Sequence, residues 1–194
     1  MNRRAGITFT ATMLALTLWS LTAYSADDDD KKANKEAQEA VIKLMDTMDG
    51  KPGDVKAQTQ AIKKKFEELK PIMWVYKPRK TGGIGMSKDG ASMETELAKI
   101  GNPRSKAKFT PAKLAEVKGD LIKAGKLSKA VAEVTDLYPP KKDAAKWKGY
   151  TKEMRKAADE LIKATESNDV AKVKKAANNL SASCTNCHSD FRND

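Results

Sequence analysis

The chain has 194 residues, 32% of them charged and 6% aromatic, with a formal net charge of +11. That is enough chain for one domain with a real core, and the composition suits helices. With two cysteines and one histidine in all, a structural zinc site built from four Cys and His ligands is excluded.

The chain opens with a basic stretch, Met1 to Arg4, followed by AGITFTATMLALTLWSLTA and the small-residue site Ala23-Tyr24-Ser25 ahead of Ala26. Residues 1–25 read as a secretory signal peptide cleaved after Ser25. The Thr and Ser interruptions and the cleavage site argue against an anchoring transmembrane helix. The mature domain, residues 26–194, is expected in the periplasm, and loss of Arg3 and Arg4 lowers its charge to +9. In an exported protein that balance favours acidic protein partners or anionic lipid headgroups over nucleic acid. Dispersed lysines that merely keep the protein soluble explain it equally well. The acidic run from Asp27 to Asp30 lies outside the expected fold.

From here apolar residues recur at alternating gaps of three and four, the mark of helices that bury one stripe. A first helix over 32–49 aligns Ala37, Val41, Leu44 and Met48, and Lys51-Pro52-Gly53-Asp54 ends it. A second over 55–77 carries Ile62, Phe66, Leu69, Met73 and Tyr76, with Pro71 bending or loosening its last turn. The glycine-rich KPRKTGGIGMSKDG begins a long connection that holds a short helix over 93–100. It lacks the G-K-S/T and the preceding strand that a phosphate loop requires.

Thr110-Pro111, cap then first-turn proline, starts a helix running to Tyr138, with Leu114, Val117, Leu121 and Val131 on its stripe. The next, over 142–166, groups Trp147, Tyr150, Met154, Ala158 and Leu161. The last follows Asn168-Asp169 and reads Val170, Val173, Ala177, Leu180, Cys184, Cys187, Phe191. Its gaps are 3-4-3-4-3-4 without exception, so both cysteines face the core, and His188 falls one turn after Cys184 on the same side. No alternating strand pattern occurs. The expected architecture is all-α: an antiparallel up-and-down four-helix bundle with an extra inserted helix.

Both cysteines and the sole histidine thus meet in C-x-x-C-H. Zinc would need a carboxylate to complete its ligand set. A redox-active C-x-x-C belongs at a helix N-terminus, where the dipole lowers the thiol pKa, and this pair is at a C-terminus. An inert disulfide is a further option. One covalently attached haem c accounts for all the features together. Each thiol adds to a vinyl group, the three-residue step keeps both on one helix face, and the neighbouring imidazole reaches the iron.

CTNCHSDFR on the last helix resembles the class II c-type cytochromes, the cytochrome c-prime family. The likeness is strongest over 147–192 and weaker over 36–83, where ELKPIMWVYKPRKTGG echoes the family's second helix and the connection after it. It implies His188 as axial ligand and Arg192, four residues on, as the basic residue beside the haem. Two departures stand out. The first helix lacks the family's arginine near the propionates, and segment 78–141, with the helix over 110–138, reads as an insertion between the second and the penultimate helix.

Opposite His188 the family has either an apolar wall or a methionine. Met73 and His188 each lie about 19 residues into their helices, hence at one depth at ~1.5 Å per residue. Met73 is therefore the candidate distal ligand, with Met45 behind it, although a methionine that only packs explains the stripe as well. Trp147 and Tyr150 come to the same level and are expected against the haem. The expected function is electron transfer, or alternatively binding of NO or CO at an open distal site. A peroxidase wants a distal acid–base residue, and with no second histidine an enzyme is not expected. Expected partners are redox proteins, acidic ones among them, and small gases, with a homodimer as one option. Nucleic acid and stable membrane insertion are not expected.

Overall fold

The computed structural model describes residues 19–104 and 108–192, with side chains from residue 28 onward. The leader expected over 1–25 therefore lies mostly outside the described residues. Seven α-helices follow one another among them: α1 (Trp19–Thr47), α2 (Pro52–Lys65), α3 (Lys70–Met73), α4 (Met93–Gly101), α5 (Pro111–Thr135), α6 (Ala144–Glu166) and α7 (Val170–Phe191). Two 3₁₀ turns, Trp74–Tyr76 and Arg79–Thr81, lie between α3 and α4. The only sheet-like pairing described is an isolated bridge between Met86 and Ala91. No described helix is long and apolar enough to cross a membrane. The protein is an all-α helical bundle.

The helix ends follow local chemistry. Thr110 caps α5 by accepting from the Lys113 amide at 3.2 Å, and Pro111 follows where its missing N–H costs nothing. Asp169 caps α7 by accepting from the amides of Ala171 at 2.9 Å and Lys172 at 3.1 Å. These amide bonds, that from Lys172 first, hold the Asp169 carboxyl below its ordinary 3.8. The cap is accordingly at full strength above pH 3.8 and is lost as pH falls through the lower folded-state value. Asp169→Asn keeps an accepting oxygen but cannot titrate. Wild type is expected to melt above this variant at neutral pH, and the gap should close in acid. A gap independent of pH would contradict the assignment.

The helix expected over 55–77 is broken. α2 stops at Lys65, Phe66 is extended, and the chain restarts as α3 with Pro71 in its first turn. A proline ring clashes with the carbonyl four residues back and has no amide to donate, so a continuous helix through Pro71 is disfavoured. The tertiary structure uses the break, since the Tyr138 hydroxyl donates to the Phe66 carbonyl at 2.6 Å. Met73 consequently sits on a short restarted segment rather than 19 residues into a helix.

The helix over 111–135 is central. α5 buries Leu114, Val117, Leu121, Leu127, Val131 and Val134, packs along α6 and also touches α1 and α2. At Gly125 it comes so close that an added Cβ would meet Ile162 Cγ1 at 2.6 Å. α6 in turn packs on α7, α4 lies against α7, and α1 covers α3 and α5. The glycine-rich connection before α4 is compact. Its Ile84 and Met86 are buried, and the Ser87 amide donates to Asp120 of α5 at 3.1 Å. Segment 78–141 thus contributes to the core itself instead of decorating a finished bundle.

Candidate functional site

The apolar stripe of α7 is buried at Val173, Ala177 and Leu180 and becomes half-buried at Cys184, Cys187 and Phe191. The change occurs where the stripe reaches a cavity of about 510 Å³ lined by Cys184, Cys187, His188, Phe191 and Arg192. The His188 carbonyl accepts from the Arg192 amide at 3.1 Å, which closes the helix one turn beyond the imidazole.

Four other segments complete the walls, one of them α4 with its cap, which supplies Ser92, Glu94 and Leu97. α6 supplies Trp147, Tyr150, Thr151 and Met154; α3 and the turn after it supply Met73, Trp74 and Tyr76; α5 supplies Ser128 and Thr135. All the residues singled out from the sequence, namely Cys184, Cys187, His188, Arg192, Trp147, Tyr150 and Met73, line this one cavity. Met45 and Met48 pack on the core but are not among its lining residues. Sequence reasoning missed Ser128, Thr135 and the cavity role of Tyr76.

The α6 wall is fixed in place by specific contacts. Trp147 is buried, its indole N–H donates to the Thr135 carbonyl at 2.8 Å, and its ring meets Phe191 edge-on with centroids 5.1 Å apart. Tyr150 also packs edge-on against Phe191, at 6.0 Å, and its hydroxyl donates to Asp190. Lys146 reaches the same Asp190 oxygen at 2.7 Å. These two bonds, Lys146 first, hold the Asp190 carboxyl below its usual range. The start of α6 is thereby clamped to the end of α7, where His188 lies.

Electrostatics inside the cavity favour neutral groups. Burial, reinforced by Glu94, pushes the Cys184 thiol up to about 11, and burial followed by Asp190 raises Cys187. The two thiols are not joined. Neutral thiols of this kind are poor as redox nucleophiles, which act as thiolates. Among the described residues no three His, Cys, Asp or Glu side chains are grouped to hold a bare metal ion. Burial also raises the Tyr76 phenol well above its usual range, with Cys184 adding to the shift. Ser128 is near enough to offset this in part yet falls short of hydrogen-bond geometry. The hydroxyls of Tyr76, Ser128 and Thr135 are buried without a hydrogen-bond partner.

The arrangement fits a haem. The cavity volume lies in the range of cofactor sites, ~300–1,000 Å³. Its walls are mostly apolar and aromatic, two thiols three residues apart share one helix face, and an imidazole adjoins them.

A family model described as Cytochrome C' matches residues 92–192. No curated protein and no solved structure gives a significant match. The matched region begins at the Ser92 cap of α4 and ends at Arg192, so it takes in the cysteine pair, the histidine and the α5 and α6 walls. With just over half of its length matched in this way, the chain belongs to the cytochrome C' family.

Proposed function

We propose that the protein is an exported electron carrier that holds one haem c covalently through Cys184 and Cys187, with His188 as the axial ligand. The observation that carries this reading is that both thiols and the imidazole lie on one face of α7 against a single, mainly apolar cavity. Bound there, haem supplies a one-electron Fe(III)/Fe(II) couple.

The chain's own part is to anchor, orient and shield. The α7 backbone sets the spacing of the two thiols. The Trp147–Phe191–Tyr150 contacts hold the adjoining wall, and the surrounding core restricts water. The proposal takes residues 1–25 as a cleaved leader, the periplasm as the compartment, and 26–194 as one haem-binding domain. Lys70 and Lys77 line the cavity, and Lys141, Lys142 and Lys148 are exposed at the loop and first turns of α6. Surface cations of this kind suit a redox partner with an acidic face, an association that salt should weaken. No catalytic turnover is proposed.

Binding of NO or CO is the second reading, and the cavity space beside His188, walled by Leu69, Leu97 and Met154, favours it. Absorption spectra of the ferric and ferrous protein, with and without CO, separate the two. An open site gives a high-spin ferric spectrum, ready CO uptake when reduced, and no change of spin state in Met73→Ala. That is the expected result, because the family likeness favours an apolar wall opposite His188, and Met73, although it lines the cavity, sits on a short restarted segment. A low-spin ferric protein indifferent to CO, converted to high spin by Met73→Ala, would remove the gas-binding reading and leave electron transfer standing.

A further inference from the structure

The charged lining of the cavity is uneven. Cations come from Lys70 and Lys77 on the α3 side and from Arg192 at the end of α7, whereas Glu94 is the only carboxylate among the described lining residues. Lys70 already has a carboxylate, Asp30, at 3.1 Å. Glu94 sits at the seam of α4 and α7, where it borders both the cavity and a surface groove that includes Ser181 and Thr185 of α7. Local chemistry holds it there. Ser92 caps α4 by accepting from the Thr95 amide at 3.4 Å, and Met93 and Leu97, which flank Glu94, are buried. At the far end of α4, Gly101 lies so close to α7 that an added Cβ would meet the Asn178 Cα at 2.6 Å. Lys99 of the same helix pairs with Glu96 at 2.7 Å, and Glu94 has no ion pair among the described residues. Its charge is felt inside the cavity. After burial itself, Glu94 is the next cause that raises the Cys184 thiol to about 11, and it adds to the upward shift of Tyr76 behind burial and Cys184.

We infer that Glu94 tunes the electron carrier: its carboxylate, fixed on the cavity wall by the docking of α4 on α7, favours ferric over ferrous haem and so lowers the midpoint potential. This rests on the haem reading above and deepens its electron-transfer form. On reduction the iron gains one electron and the haem loses one unit of positive charge. A fixed negative charge on the wall therefore stabilises the oxidised form more than the reduced one. The cavity cations act in the opposite sense, and Asp30 offsets one of them. The competing role for Glu94 is structural, because an acidic residue in the first turn of a helix interacts favourably with the helix dipole. Glu96 shares that first turn but does not line the cavity, so the two residues separate the roles.

The test is a spectroelectrochemical titration of holoprotein matured with covalent haem, at low and at high salt. Glu94→Gln keeps the shape of the side chain and removes its charge. It is expected to shift the ferric–ferrous equilibrium about threefold toward the ferrous form at low salt, a rise of ~28 mV at ~59 mV per decade for one electron. The rise should shrink at high salt, since Glu94 is exposed. Glu94→Lys should move the potential further up, and Glu94→Asp, which keeps the charge, should stay with wild type. Glu96→Gln makes the same change of charge away from the cavity and should leave the potential near that of wild type. An unmoved or lowered potential in Glu94→Gln would overturn the inference and leave the haem reading intact. An equal rise in Glu96→Gln would overturn it by reducing the effect to net charge, and an equal rise in Glu94→Asp by reducing it to shape. Loss of helical content in Glu94→Gln by circular dichroism would overturn it in favour of the structural role. Wild type that matures without covalent haem would overturn both the inference and the haem reading.

Discussion

His188→Ala is expected to abolish the normal haem protein. His188 is the sole histidine in the chain, so no other imidazole is available to bind iron from the same side. Its position is set by three neighbouring features: the α7 backbone, closed by the Arg192 amide; the Phe191 ring; and Asp190, held by Lys146 and Tyr150. Alanine leaves this frame in place and removes only the ligand. The outcome should be loss of the normal spectrum and of most mature haem protein, with the apoprotein's helical content by circular dichroism close to wild type. A variant whose spectrum shows ordinary imidazole ligation would refute the assignment.

Replacing both thiols, Cys184→Ala with Cys187→Ala, should have an equally large effect on a different observable. Haem retention after acid–acetone extraction is expected to fall from complete to none, because no other cysteine exists to take their place. The fold should survive, since α7 is anchored through Val173, Ala176, Ala177 and Leu180, which are buried upstream of the pair. If α7 unfolded in the variant, the cysteines would be structural instead of cofactor anchors. Far-ultraviolet circular dichroism on the same sample distinguishes the two.

The parts of the site that were legible in the sequence are local ones. The unbroken 3-4 stripe of α7 and the C-x-x-C-H spacing are properties of consecutive residues, and the structure places them on one helix face as read. Trp147, Tyr150 and Met154 were legible for the same reason. The break at Phe66 was not, because it depends on how the Pro71 restriction is resolved and on a bond from Tyr138, distant in sequence. Met73 was counted along an unbroken helix; it reaches the cavity that His188 lines, but from the restarted segment. The central role of α5 was also hidden. A helix compared with a four-helix plan reads as surplus, while its packing against α6, α1 and α2 is non-local. Its polar wall did leave a trace. Ser128 and Thr135 occupy stripe positions between Leu121 and Tyr138, where a purely structural helix would carry apolar residues. A hydroxyl on a core stripe is the signal that could have found them.

The central claim is that this chain holds one haem covalently through its C-terminal cysteine pair. The most direct measurement is the mass of the mature protein after acid–acetone extraction, made in a cell equipped for cytochrome c maturation. The expected result is the polypeptide plus one haem, with the added mass mapping to the peptide that contains Cys184 and Cys187. A mass equal to the bare polypeptide, or a protein that retains zinc in place of haem, would contradict the account.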